Sequence, residues 1–183
     1  MNYLVLQQGM MQVVWFACVL GAARGLPFLG TLAGLAFVGW HLARAGDDAR
    51  SEAALIAAAG ALGAAIDVAL LRSGALSYAS GEWIPGLGPH WMIALWMAFG
   101  ATLNVAYRWL RGRWFAAALM GAVFGPLSYW AGMRLGGVVF PQSLEVGLAS
   151  LSLAWLLAFP ALVWLAERLT PEPAVAMAEA RRA

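Results

Sequence analysis

Charged residues are scarce in this chain, and lysine is absent. They make up 11% of its 183 residues, against about 25% in an ordinary soluble domain, whereas hydrophobic residues make up 63%. Eleven arginines face nine carboxylates, so the formal net charge is only +2. Because this balance leaves no unopposed basic surface to neutralise phosphates, we expect no nucleic-acid partner. The composition instead predicts an integral membrane protein.

Metal-ligating and nucleophilic motifs are also lacking. Cys18 is the single cysteine, and His41 and His90 are the two histidines, which fall on opposite sides of the predicted membrane spans. The chain contains no G-x-S-x-G, H-E-x-x-H or phosphate-loop motif. We therefore expect neither a metal nor a cofactor, and an enzyme is the less favoured class.

Long apolar runs are what the chain has instead. Six runs approach the length of about 20 residues that crosses roughly 30 Å of hydrocarbon. They are residues 3–23, 26–43, 53–72, 89–108, 114–134 and 144–167. Their hydrophobicity is continuous rather than alternating, which predicts an all-α bundle of six transmembrane helices. One domain, 1–169, would precede a cytoplasmic tail, 170–183. The first run lacks a basic n-region and an A-x-A-like site, so we expect it to be retained.

The arginines are distributed unequally around these spans. If the N-terminus is inside, the inner side holds eight: Arg44, Arg50, Arg108, Arg111, Arg113, Arg168, Arg181 and Arg182. The outer side holds three: Arg24, Arg72 and Arg134. Because basic residues accumulate in cytoplasmic loops, both termini are predicted to be cytoplasmic, and a bacterial inner membrane suits this topology best.

Small residues recur on two predicted spans and suggest where helices approach closely. The fifth carries Ala117, Gly121, Gly125, Ser128, Gly132 and Gly136, and the third carries Ala57, Ala61, Ala64 and Ala65. Such stripes allow close backbone contact, so these two spans are predicted to form the tight centre of the bundle, and Ala17 and Gly21 offer a similar face to a membrane-protein partner. Each odd span ends in an arginine followed closely by glycine, and each even span ends with an aromatic residue four positions before an arginine. This repetition suggests three helical hairpins. Interfacial anchoring explains this repetition equally well.

Asp67 is predicted to be the most deeply placed ionisable residue. At ~1.5 Å rise per residue it lies roughly 21 Å from the inner face, level with Ser128 and Tyr129. Ionisable groups at such depth usually face the bundle interior. The predicted ligand site near the outer surface combines these residues with arginines above them and with aromatic residues of the link 78–91. Its members are Arg24, Asp67, Arg72, Trp83, His90, Trp91, Ser128, Tyr129 and Arg134. The alternative is a structural salt bridge between Asp67 and one arginine, beneath an aromatic belt.

A second polar group lies toward the inner side. Gln8 and Gln12 are one turn apart on the first span, and Asn104 is near the inner end of the fourth. Buried amides commonly form hydrogen bonds between helices. We therefore interpret these three residues as structural.

Three stretches of the sequence resemble a known family. They are residues 15–27, residues 103–104 together with 108–113, and residues 125–132, with Arg24, Asn104, Ser128 and Tyr129 among them. They resemble the bacterial inner-membrane proteins called domain of unknown function 2878, over about residues 5–167. The resemblance implies architecture and location but no reaction. The frequent proximity of such genes to enzymes of the cyclopropane-fatty-acid type implies a role related to lipids.

Three functional hypotheses remain. The leading one is a membrane factor that binds a lipid or apolar metabolite from the outer leaflet and supports lipid modification, with membrane lipids as its partners. The second is the substrate-capturing subunit of a vitamin-type transporter, which has similar size and span number. The third is a membrane enzyme that uses Asp67 or His90 as general base, with arginines stabilising an anionic transition state.

Overall fold

The computed structural model describes residues 3–170 of the chain. Six α-helices form it: α1 (Tyr3–Ala23), α2 (Phe28–Leu42), α3 (Ala49–Arg72), α4 (His90–Gly100), α5 (Trp114–Arg134) and α6 (Leu144–Leu169). Two short strands, β1 (Ser77–Tyr78) and β2 (Val138–Val139), pair antiparallel. The predicted all-helical class is confirmed. Apart from Thr170, the predicted tail lies outside the described residues.

Four helical segments are long and apolar enough to cross a membrane. They are Tyr3–Ala23, Gly46–Arg72, which joins a short 3₁₀ turn to α3, Trp114–Arg134 and Leu144–Leu169. The apolar helices α2 and α4 are shorter, with 15 and 11 residues. The described chain therefore has the helices of a membrane protein.

The regular part of α4 ends earlier than the apolar run predicts. The run continues to residue 108, but the α-helix stops at Gly100 and turns follow. The Thr102 hydroxyl donates to the Phe99 carbonyl oxygen at 2.6 Å, and the Thr102 amide donates to the same oxygen at 2.9 Å. Because a threonine hydroxyl competes in this way for backbone carbonyls, hydrophobicity alone did not reveal the helix end.

Consecutive helices pack in pairs, α1 with α2, α3 with α4 and α5 with α6, as three hairpins would. Helix α4 also contacts α1 and α2, and α3 contacts α6. Helices α1 and α5 are the two ends of this arrangement, and a gap separates them. The Trp15 indole N–H bridges the gap by donating to Ser128 Oγ at 2.9 Å. This gap between α1 and α5 contains the crevice described below.

The small-residue stripe on α5 seats a tryptophan of α6. A Cβ placed on Gly121 would lie 2.3 Å from the Trp155 carbonyl oxygen, and one on Gly125 would lie 2.3 Å from the Trp155 ring. The predicted close approach of α5 to a neighbouring helix is therefore confirmed, but its predicted place at the centre of the bundle is wrong, because α5 packs mainly against α6 at one end of the arrangement.

The corresponding prediction for α3 is wrong. Its alanines at 57, 61 and 65 are exposed, and Ala64 is only half-buried. The buried face of α3 instead presents Gly60 to Met97 and Gly63 to the Trp96 ring. Glycine lets these large side chains of α4 lie directly on the α3 backbone, which a β-carbon on that face would prevent.

The link between α3 and α4 is an ordered cap, as its Trp, Pro and Gly content predicts. Its strand β1 pairs with β2, and the Ala79 amide donates to the Gly137 carbonyl oxygen at 3.2 Å. Gly81 has φ +96, and a Cβ there would lie 2.7 Å from Trp91. The cap therefore closes the end of the bundle at which α4 begins, called here the loop end.

The described arginines divide between the two ends as predicted. At the loop end, Arg24 follows α1, and Arg72 and Arg134 are the last residues of α3 and α5. The opposite end, called here the arginine-rich end, holds Arg44, Arg50, Arg108, Arg111, Arg113 and Arg168. Arg181 and Arg182 lie outside the described residues. The charge asymmetry on which the predicted orientation rests is thus present in the folded chain.

Candidate functional site

Asp67 is completely buried and is held by three side-chain donors. The Tyr78 and Tyr129 hydroxyls donate to its Oδ1 at 2.7 and 3.2 Å, and the Trp96 indole N–H donates to its Oδ2 at 3.1 Å. These donors come from β1, α5 and α4, so one carboxyl group of α3 joins three other parts of the fold. Asp67 acts here as a shared acceptor.

Tyr78 keeps its proton in this cluster. Burial raises the pKa of its phenol well above the ordinary value, and the neighbouring Asp67 raises that pKa further. The hydroxyl therefore remains a donor to the carboxyl oxygen at neutral pH.

The arginines predicted to accompany Asp67 lie elsewhere. Arg24, Arg72 and Arg134 are exposed, and within residues 3–170 none of them bonds to the carboxyl group. The predicted alternative of an Asp67–arginine salt bridge is therefore wrong. The neutral donors reach Asp67 from β1, α4 and α5, whereas the arginines lie at the ends of their helices and are exposed.

An apolar crevice lies on the other side of this cluster, between α1 and α5. Its larger part has a volume of about 440 Å³, and it adjoins a smaller part of about 80 Å³. The two share five lining residues: Met11, Trp15, Phe99, Ser128 and Trp155. Side chains of α4 form its back wall, among them Trp91 and Trp96. Pockets for small apolar molecules have volumes of roughly 300–1,000 Å³, so the crevice has a suitable size.

The Asp67 cluster supports this crevice from behind. Trp96 and Tyr129 line the crevice, and both donate to the Asp67 carboxyl group. The Trp96 ring also stacks on that of Trp155, with centroids 4.5 Å apart. Since Asp67 is buried beneath these rings, it positions the wall of the crevice.

Two hydrogen-bond donors along the crevice have no partner among the described residues. Trp155 Nε1 and Gln8 Nε2 are both buried and unbonded. A buried donor without a partner costs about 1–3 kcal/mol. The crevice is thus mainly apolar, and two of its lining residues each carry a buried N–H group without a partner among the described residues.

The predicted ligand residues separate into four groups. Trp91, Ser128 and Tyr129 line the crevice, and Asp67 lies beneath it. Trp83 and His90 line a smaller pocket of about 250 Å³ under the cap, where the His90 ring stacks on Trp83 and bonds to the Thr31 hydroxyl. The three arginines form the exposed fourth group. The structure therefore does not bring these nine residues into one site.

A polar network at the arginine-rich end was missed by the sequence interpretation. His41 Nε2 lies 3.1 Å from Glu52 Oε2, and Asn104 Nδ2 donates to Glu52 Oε1 at 2.7 Å. Arg111 donates to Asn104 Oδ1 at 2.7 Å and to the Thr170 hydroxyl at 2.9 Å. Glu52 lies in the first turn of α3 and is only 6% exposed.

The hydrogen-bond donors around His41 indicate its tautomer. Gln7 Nε2 donates to the Ala101 carbonyl oxygen at 3.0 Å and lies 3.2 Å from His41 Nδ1. Because this nitrogen of Gln7 is a donor, Nδ1 accepts, and the imidazole proton belongs on Nε2, where it is donated to Glu52. The carboxylate thus orients the ring.

A sequence signal for this network was present but weak. His41 and Glu52 stand at opposite ends of the link between the second and third predicted spans, so the hairpin itself brings them together. Within residues 3–170, no group of three or more His, Cys, Asp and Glu side chains could hold a metal ion. The three amide residues that were predicted to be structural lie in two different places. Asn104 belongs to the network, and Gln8 and Gln12 line the crevice.

Comparisons with known proteins agree with the resemblance noted from the sequence. A family model described as "Protein of unknown function (DUF2878)" matches residues 4–161. Searches of curated proteins and of solved structures each return no match. Because the family model covers most of the chain, including all of α2 to α5 and all but the first residue of α1, the chain belongs to the domain of unknown function 2878 family.

Proposed function

We propose that this protein binds a lipid or an apolar metabolite carrying a hydrogen-bond acceptor in the crevice between α1 and α5. The unpartnered indole N–H of Trp155 carries this proposal, because an indole nitrogen can only donate. Half of the lining residues are Met, Phe, Trp or Leu, whose side chains suit an acyl chain. An ester, carbonyl or hydroxyl oxygen would meet Trp155 and Gln8.

The proposal includes six membrane crossings. Although α2 and α4 are short, α2 runs from the Phe28 contact with Trp83 at the loop end to His41 beside Glu52 at the other. The α4 segment likewise begins at His90 and continues through turns to Asn104 in the same network. With the arginine-rich end in the cytoplasm of a bacterium, the crevice would open to the lipid of the inner membrane. We also propose that the protein takes part in lipid modification, because its crevice would face the membrane lipid.

Removal of the N–H donors of Trp155 and Gln8 is expected to reduce the preference of the protein for ligands that carry a hydrogen-bond acceptor. We compare two diazirine probes of equal chain length, a fatty acyl methyl ester and a plain hydrocarbon. In the wild-type protein the ester should label α1 and α5 at lower concentration, because hydrogen bonds to Trp155 and Gln8 are worth about 0.5–1.5 kcal/mol each. The double variant Gln8→Leu with Trp155→Phe should lose most of this preference, measured by mass spectrometry of the labelled peptides.

The matched control is Leu119→Phe, which alters an exposed position of α5 and should leave both probes unaffected. Thermal unfolding in detergent accompanies each variant. Gln8→Leu removes a buried unsatisfied group, so its folding stability should be equal to or above that of the wild type. Equal labelling by both probes in the wild-type protein, or labelling spread evenly over exposed helix surfaces, would contradict the proposal.

A further inference from the structure

A second cavity lies at the arginine-rich end and shares no lining residue with the crevice. Its volume is about 630 Å³, and it lies where the ends of α1, α2 and α3 meet the turns after α4. Its charged lining consists of Arg44, Arg108, Arg111, Asp48 and Glu52, together with His41. Three guanidinium groups therefore face two carboxylates, and the cavity has an excess of positive charge.

One of the two carboxylates is already engaged. Glu52 accepts from His41 through Oε2 and from Asn104 through Oε1, so each of its oxygens has a partner inside the protein. Asp48 is exposed at the rim, where water screens its charge. Arg44 and Arg108 are exposed in the same way, so the cavity lining keeps an excess of one arginine over its two carboxylates.

Two of these arginines are held in defined positions. Asn104 Oδ1 and the Thr170 hydroxyl accept from Arg111, which links its guanidinium to the Glu52 network. The Arg44 guanidinium lies 4.9 Å from the centre of the Trp40 ring, and that ring stacks on Tyr3 at 5.5 Å. Guanidinium groups fixed in this manner lose less side-chain entropy when they bind an anion.

We propose that this cavity binds a phosphate-bearing anion. Planar guanidinium forks match the oxygens of a phosphate group, and such charge-assisted hydrogen bonds are about twice as strong as neutral ones. A phosphate carries more negative charge than a single carboxylate, which suits three converging arginines. The phosphate could belong to a free phosphoryl compound or to a phospholipid headgroup, since either would present the same oxygens at this end of the bundle.

The test uses the full chain in a phosphorus-free maltoside detergent. One arm titrates inorganic phosphate by calorimetry. The other compares phosphatidic acid with a diacylglycerol of the same chains by native mass spectrometry, so that only the phosphate differs. Binding of inorganic phosphate and phosphatidic acid supports a general phosphate site. Binding of phosphatidic acid alone assigns the headgroup as the source, and binding of inorganic phosphate alone assigns a free phosphoryl compound.

The decisive variant is Arg44→Gln. Arg44 is exposed, so its replacement should leave thermal unfolding unchanged while phosphate affinity falls about tenfold or more. Arg111→Lys retains the charge but loses the fork, and should weaken binding as well. The matched control is Arg24→Gln, an exposed arginine at the loop end, which should leave the affinity unchanged. The proposal would be overturned if diacylglycerol bound as well as phosphatidic acid and inorganic phosphate did not bind. It would also be overturned if Arg44→Gln and Arg24→Gln lowered the phosphate affinity equally.

Discussion

Replacing Asp67 with leucine is expected to abolish stable folding. The change leaves the donors of Tyr78, Trp96 and Tyr129 buried without their acceptor, at a cost of about 1–3 kcal/mol for each. A typical domain is stable by only about 5–15 kcal/mol, so the sum is a large fraction of the total. The measurement is the yield of monodisperse protein in detergent, followed by its thermal unfolding.

Asp67→Asn is the informative companion. Its amide oxygen can still accept from both tyrosines, but its NH₂ group then meets the Trp96 indole N–H, so one donor loses its partner. We expect a folded protein with a lower unfolding temperature. Ala61→Leu, at an exposed position of the same helix, should be close to neutral. An unchanged unfolding temperature in Asp67→Leu would show that the cluster contributes little to stability.

The Asp67 variants also address the hypothesis of an enzyme. A general base must lie within hydrogen-bonding distance of the proton that it removes from the substrate. Asp67 has no exposed surface, and both of its oxygens are bonded to protein donors. This geometry favours a positioning role, in which Asp67→Asn alters ligand binding through Trp96 and Tyr129.

Substitution of Gly121 with alanine is expected to have the second large effect. The new Cβ would lie 2.3 Å from the carbonyl oxygen of Trp155 and 2.9 Å from the Cβ of Phe159. Because the Trp155 carbonyl oxygen belongs to the backbone, this clash is relieved only if α5 and α6 move apart. Overpacking of this kind costs about 1–3 kcal/mol or more, and it would also displace Trp155 from Trp96.

The control for this prediction is Gly9→Ala on α1. Nothing lies within 4 Å of a Cβ at Gly9, and alanine favours a helix over glycine by about 0.8–1 kcal/mol in water. Chemical unfolding of both variants in mixed micelles compares them directly. A Gly121→Ala protein as stable as Gly9→Ala would mean that α5 and α6 do not approach as closely as the geometry indicates.

Several features were accessible from the linear sequence because they depend on local composition. Apolar run length predicts the helices, and arginine placement predicts the charge asymmetry between the two ends. The glycine spacing on α5 predicts its close contact with another helix, since a stripe at every third or fourth residue lies on one face. The depth of Asp67 correctly predicts its proximity to Tyr129.

Other predictions were wrong because they depend on which faces of the helices pack together. The alanines of α3 and its glycines offer two small-residue faces, and nothing in the spacing distinguishes the buried one. Likewise, depth places Arg24 and Asp67 at nearby levels but does not orient their side chains. Trp96, which is 29 residues from Asp67 in the chain, becomes its partner only when α4 packs against α3.

Composition and spacing therefore determine that the chain is a helical membrane-type protein, how its charges divide between two ends, and that α5 presents a close-packing face. Packing of the folded helices decides the rest. The crevice exists because α1 and α5 are the two ends of the packed arrangement, and the cavity at the arginine-rich end exists because the ends of α1, α2 and α3 meet the turns after α4. Both depend on contacts between residues far apart in the chain, and the energies of those contacts arise only after the helices have packed.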